Sequence, residues 1–294
     1  MAIGYGKVII LGEHAVVYGH QALAGALDRG VELFARSGHY GISIPDWDLD
    51  VAATDAHPVA RALMRLASGL RTRPRVRLEG SARIPAAAGL GSSAAMSVAA
   101  VRALAAAVTP VRELNDDEVA ALANYGEHEF HQRPSGVDVQ LAARGGLGTF
   151  RLGVGFAPLP GLRLTLAIGL TGEARSTATM VARVASATGS RPDDPRLVRL
   201  GQVAERGAAA LIGGDLAGLG AELDAAQRVL TDLGVSSPGI DRLTTIARDH
   251  GALGAKLTGA GGGGAVIAVA PRREEQIVRA WRSAGHDGFV ATIG

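Results

Sequence analysis

The sequence predicts a protein of mixed helices and strands, organised as one large domain or two moderate ones, on three observations. The chain has 294 residues, more than a typical single domain gathers around one core. Short β-branched apolar runs alternate with Ala- and Leu-rich stretches along its whole length. Near residue 155 a loop carrying Pro158 and Pro160 offers a boundary, which divides the chain into 1–155 and 156–294.

The elements follow in order. Residues 7–11 are a β-branched apolar run with the character of a buried strand, and Gly12-Glu13-His14 is the loop after it. Residues 31–35 and 76–78 are further strands. The Ala-, Leu- and Val-rich stretch 92–108 has strong helix propensity, and Ser92 or Ser93 is suited to cap its start. Asn115-Asp116-Asp117-Glu118 is a capping box that opens a second helix, expected to run to Pro134, whose ring removes an amide hydrogen. Val119, Leu122, Ala123, Gly126 and Phe130 share one face of it, and Glu127 borders that face, where a carboxylate needs a partner. Strands at 147–152 and 162–170 flank the proline loop. Helices follow near 177–188, 195–211 and 238–250, the last announced by Ser237-Pro238, and strands at 265–270 and 289–293 close the chain.

Composition narrows the function classes. A net charge of +2, with arginines scattered rather than blocked, disfavours nucleic-acid binding. The absence of Cys excludes a disulfide framework, thiolate-held zinc or iron–sulfur sites and thiol catalysis, and it fits the cytoplasm. The N-terminal residues show no signal-peptide pattern, and no apolar run approaches a membrane span. Almost all the positive charge is arginine: Lys7 and Lys256 are the two lysines, and both sit in glycine-rich segments, as expected where a compact ammonium is needed and a planar guanidinium does not fit.

Three glycine segments carry the chemistry. Ile84-Pro85-Ala86-Ala87-Ala88-Gly89-Leu90-Gly91-Ser92-Ser93-Ala94-Ala95 is a Pro/Gly loop opening straight into a helix, an arrangement whose free amides and helix dipole suit a polyphosphate. It is not a Walker A loop, because no lysine follows its last glycine, and no clean strand precedes it as a dinucleotide fingerprint requires. Lys256-Leu257-Thr258-Gly259-Ala260-Gly261-Gly262-Gly263-Gly264 leads into a strand and not a helix, so its formal GxGxxG match reads as a loop that packs backbone against a ligand, or as a plain hairpin connection. The third segment is Gly6-Lys7-Val8-Ile9-Ile10-Leu11-Gly12-Glu13-His14-Ala15-Val16-Val17-Tyr18-Gly19.

Taken together, in this order and at this separation, the three segments resemble the three motifs of the GHMP kinase superfamily across almost the whole chain, and Pro134-Ser135-Gly136-Val137-Asp138 resembles that family's catalytic-Asp motif. The loop Gly12 to Gly19 is most similar to that of the mevalonate kinases; Val139 departs from the Asn often found there. The resemblance implies a two-domain α+β fold, the N-terminal half like ribosomal protein S5 domain 2 and the C-terminal half ferredoxin-like, with ATP and substrate meeting in the cleft. It implies Asp138 and Lys7 as catalytic residues, with Pro85, Gly89, Leu90, Gly91, Ser92, Ser93, Ala94, Gly259 and Gly261 around ATP. Mg2+ would be held by Ser93 and Glu127, and the acceptor by Glu13, His14, Ser135, Arg175 and Thr177. The implied reaction is transfer of a phosphoryl group from ATP to the 5-hydroxyl of (R)-mevalonate, and a homodimer is compatible with it. The competing expectations are another GHMP kinase, acting on phosphomevalonate or a sugar, and a GHMP-fold binding protein without catalysis.

Overall fold

The computed structural model describes residues 2–108, 110–130, 136–173 and 176–294. Its elements, in chain order, are β1 (Ala2–Leu11), β2 (Ala22–Ser37), β3 (Gly41–Ile44), β4 (Leu49–Ala52), α1 (Pro58–Gly69), β5 (Val76–Ala82), α2 (Ser92–Ala107), α3 (Asp116–Glu127) and α4 (Val137–Arg144). Then come β6 (Leu147–Arg151), β7 (Gly155–Pro158), β8 (Leu164–Leu170), α5 (Thr177–Thr188), α6 (Pro195–Ile212), α7 (Leu216–Asp232), α8 (Pro238–Asp249), β9 (Gly254–Thr258), β10 (Ala265–Val269), α9 (Glu274–Ser283) and β11 (Asp287–Ile293). The mixed α+β class holds. Among the described residues no helix is long and apolar enough to cross a membrane.

Two compact units are interleaved along the chain. One comprises Met1–Lys7, Asp28–Ala87 and Gly91–Gly145; the other comprises Val8–Leu27, Ala88–Leu90 and Gly146–Gly294. The main changeover thus falls at 145/146, earlier than the expected 155, and the second unit also takes two N-terminal stretches. The reason lies in strand length: β1 and β2 are ten and sixteen residues long, and each serves one unit with its first part and the other with its second.

In the first unit the C-terminal part of β2 pairs antiparallel with β5, β5 pairs parallel with β3, and β3 turns back antiparallel onto β4. Helix α2 is the core of this unit. It is apolar on nearly every side, the pattern of a buried helix rather than an amphipathic one, and its alanines let neighbours come close. Gly4 in β1 exploits this, since a Cβ there would stand 2.0 Å from the Ala95 carbonyl oxygen. Helix α3 starts with the expected capping box between Asn115 and Glu118 but ends at Glu127, well short of Pro134. Its last bonds tighten from i→i+4 to i→i+3, Glu129 to Gly126 and Phe130 to Glu127, and the chain leaves the helix before the proline exerts its effect.

In the second unit the strands run β11-β8-β10-β9, all antiparallel. The N-terminal part of β2 pairs with β6, which forms a hairpin with β7. Helices α7, α8 and α9 pack on the sheet, and α6 pairs with α7. Trp281 of α9 is fully buried, and its indole lies against Gly169 and Gly288, where a Cβ would come within 2.9 Å and 3.1 Å of the ring. The indole N–H donates to the Leu243 carbonyl at 2.9 Å, so the buried polar atom is satisfied.

Candidate active site

In the first unit, four side chains expected to do the chemistry converge. Strand β1 delivers Lys7, which is buried, and α4 delivers Asp138 in its first turn. The Lys7 ammonium stands 3.2 Å from Asp138 Oδ1, and of the two the carboxylate is the more open, at 27% exposure. Ser93 in the first turn of α2 donates from Oγ to Glu127 Oε2 at 3.1 Å. Glu127 is 1% exposed. Burial, with the Asp138 charge adding to it, raises its carboxyl to about 8, against partial relief from the Ser93 hydroxyl and the Lys7 charge.

The Pro85–Gly91 loop turns through positive φ at Ala87, Gly89 and Gly91 and delivers the chain into α2. Gly91 is the helix N-cap, in the left-handed region at φ 72°, and no side chain caps the helix. The expected serine cap is therefore corrected. Ser92 Oγ turns back to accept the Ala87 amide at 3.2 Å, Ser93 reaches Glu127, and the first amides of α2 keep no side-chain acceptor. Gly91 is required twice over, by its backbone conformation and because a Cβ there would lie 2.8 Å from Lys7 Cγ. Pro85 and Gly89 are partly exposed while Leu90 and Ala94 are buried, so of these four the first two border solvent.

The donor set suits the expected ligands. An uncapped helix start behind a glycine turn suits an anion such as phosphate. Ser93 and Glu127 offer only oxygen, the donor that Mg2+ takes, and a buried carboxylate raised by a second carboxylate gains from a divalent cation. Among the described residues no group of three or more His, Asp or Glu forms a metal cage.

In the second unit, Glu13 and His14 lie between β1 and a 3-10 turn, Ala15–Tyr18. Glu13 is fully buried in an ion pair with Lys256 of β9. His14 is 8% exposed, and its Nε2–H donates to the Ala260 carbonyl at 3.0 Å. Burial lowers its pKa to about 4, with the Lys256 charge acting in the same direction, so the ring is neutral and Nδ1 is its acceptor. Gly259 and Gly261 belong to the connection of the β9–β10 hairpin, where Thr258 pairs with Ala265. That loop packs on protein: Gly262 N–H donates to the Val235 carbonyl at 2.7 Å, and a Cβ on Gly261 would stand 2.2 Å from the same oxygen. Thr177 is the first residue of α5, after the Ser176 cap. Ser135 and Arg175 lie outside the described residues.

Two features escaped the sequence reading. The buried Thr258 hydroxyl accepts from the Ile9 amide and donates to the Ile9 carbonyl, both at 3.0 Å, tying β1 to β9. Lys256, conspicuous as one of two lysines, has its partner Glu13 at a separation of 243 residues, which no local pattern reveals.

A family model described as GHMP kinases N terminal domain matches residues 56–146, and one described as GHMP kinases C terminal matches 208–287. Mevalonate kinase of Aeropyrum pernix is 36% identical over 98% of this chain and 94% of its own length, and that of Thermococcus onnurineus 31% identical over the same shares. The crystal structure of L. major mevalonate kinase in complex with R-mevalonate superposes with a TM-score of 0.87 at 28% identity, covering 99% of this chain and 94% of that one. Two domain models in the expected order and relatives aligned from end to end lead to one conclusion: this chain belongs to the GHMP kinase family.

Proposed function

We propose that the protein is a mevalonate kinase, which transfers the γ-phosphoryl group of ATP to the 5-hydroxyl of (R)-mevalonate. The observation that carries the reading is the Lys7–Asp138 pair at 3.2 Å, beside Ser93 and Glu127, in a chain whose full-length relatives are mevalonate kinases. Phosphoryl transfer asks a protein for positioning, charge neutralisation and an oriented nucleophile. Asp138, the more open member of its pair, accepts the proton of the attacking hydroxyl as that oxygen bonds to the γ-phosphorus and the bond to the β,γ-bridging oxygen breaks. Lys7 offsets the negative charge that gathers there. The uncapped start of α2 receives the phosphates of ATP, and the assignment of Gly259 and Gly261 to the nucleotide rests on their resemblance to the family motif. Ser93 and Glu127 would hold Mg2+, whose charge would help to neutralise the phosphate oxygens. His14, Ser135, Arg175 and Thr177 serve the acceptor, Arg175 as the counter-charge to its carboxylate, and Glu13, buried against Lys256, serves it indirectly through the turn that carries His14. The same proposal places the enzyme in the cytoplasm, in keeping with a sequence free of cysteine.

An ADP-release assay over a panel of mevalonate, phosphomevalonate, galactose and homoserine tests it. Turnover with mevalonate is expected. Turnover with phosphomevalonate or galactose in its place moves the specificity elsewhere in the family, and ATP binding without ADP release from any of the four leaves a binding protein. Asp138→Asn is expected to lower kcat by about 10²- to 10⁴-fold with ATP affinity unchanged.

A further inference from the structure

His14 sits in an unusual backbone. Its φ of 60° and ψ of −48°, with the Ala15 amide donating to the Glu13 carbonyl at 2.6 Å, define a γ-turn of the positive-φ form. That form is rare and strained, and a residue with a Cβ keeps it only where its surroundings hold it.

Both flanks of the turn are held by one segment. On one side the Glu13 carboxylate takes the Lys256 ammonium, both side chains having no exposure at all. On the other the His14 ring is fixed to the Ala260 carbonyl. Lys256 and Ala260 stand four residues apart on β9 and the loop that follows it. Strand β9 is itself rigidly placed: Lys256 pairs with Ile267 of β10, the Ala255 amide donates to Asp224 and the Leu257 amide to Gln227, and Thr258 is tied to Ile9.

A lysine before a run of glycines invites assignment to a phosphate. Lys256 is sealed from solvent and spends its donors on Glu13 and on the Leu257 carbonyl, so in this conformation it faces protein alone. We propose that Lys256 is a positioning residue: through Glu13 it clamps the strained γ-turn that presents His14 to the acceptor alcohol. The inference rests on the functional reading above for what His14 meets, and on geometry alone for the clamp. It also accounts for a lysine in a chain that otherwise uses arginine: three donors on a compact head fit a sealed gap beside a backbone carbonyl, and a guanidinium fork does not.

The test is Lys256→Met, read by NMR titration of isotope-labelled His14 in the ligand-free protein and by steady-state kinetics. With the clamp gone the turn relaxes and the ring reaches water. The His14 midpoint is expected to climb from about 4 towards the ordinary 6.5. KM for the acceptor rises about tenfold while kcat and KM for ATP stay within about threefold, the mark of lost binding rather than lost chemistry. A folded Lys256→Met protein with the wild-type midpoint and wild-type KM overturns the proposal, whatever its Tm. Should that variant not fold, Glu13→Gln keeps the volume and an acceptor for the ammonium. It is expected to move both readouts the same way, and unchanged readouts there overturn the proposal as well. The titration needs no substrate, so a wild-type protein inactive on mevalonate sinks the functional reading, while the clamp is still decided by the midpoint in Glu13→Gln, where the Lys256 charge that lowers it is kept and only relaxation of the turn can raise it.

Discussion

Glu127 combines near-complete burial, a neighbouring carboxylate and a proposed role towards a cation, and its pKa makes the combination measurable. Raised from 4.5 to about 8, it keeps a proton in the folded state across a window in which the unfolded chain has lost it. Stability therefore falls as pH rises from 4.5 to about 8, by an amount on the order of a few kcal/mol in the absence of a divalent cation. Glu127→Gln carries no such proton, so its Tm is expected to change less than that of the wild type between pH 5 and pH 9, and Mg2+ is expected to restore wild-type Tm at the alkaline end only. Thermal melts of both proteins with and without Mg2+ check this, and parallel pH profiles would show that Glu127 is ionised throughout. At this scale Lys7, Ser93, Glu127 and Asp138 were legible because each lies in a short segment whose resemblance to the family is local. The Glu13–Lys256 pair was not, because its members come from opposite ends of the chain and neither neighbourhood carries the signature of the other.

At the level of elements, the start of α2 is a doubly constrained junction in the first unit. Gly91 holds φ 72°, where a Cβ is strained, and a Cβ there would meet the Lys7 stem at 2.8 Å. Gly91→Ala is expected to cost about 1–3 kcal/mol of stability and, by displacing Lys7 from Asp138, to lower kcat beyond what the stability loss explains. Activity measured well below the variant's Tm separates the two effects, and full kcat in a destabilised protein would show that Lys7 tolerates the shift. Helix starts with side-chain oxygen caps, at Asn115 and Ser237, were readable from the sequence. Helix α1 was not, since its cap is His57, whose Nδ1 accepts the Val59 amide. Helix α9 has Arg273 in the cap position with no side-chain bond, and α7 carries Gly218 and Gly220, which weaken helical propensity. Gly220 is there for packing, since a Cβ would stand 2.4 Å from the Leu253 carbonyl oxygen. Strands β3 and β4, four residues each, are too short for their period to register.

For the whole molecule, the expected mixture of helices and strands was visible in the alternation of patterns, while the interleaving of the two units was not. A linear reading finds a boundary by its prolines; long strands that serve both units leave no compositional mark. Stability in the second unit depends on a seat cleared for one indole. Trp281→Ala removes the largest fully buried side chain and leaves a cavity against Gly169 and Gly288 that backbone cannot fill. A loss of about 3–5 kcal/mol is expected, read as a Tm lowered by several degrees in calorimetry. A loss below about 1 kcal/mol would mean that the sheet and α9 close over the gap.

The burial of both lysines has a practical side. The surface carries its positive charge as guanidinium, so apart from the α-amino group the folded protein offers almost no amine to acylating reagents or to a lysine-specific protease. Cleavage after Lys7 and Lys256 requires that the strands holding them open. Each lysine lies in a different unit, so the two cuts report separately: one follows the opening of β1 beside Asp138, the other the opening of β9 beneath His14. The protein thus comes with two internal reporters of local unfolding, one in each unit.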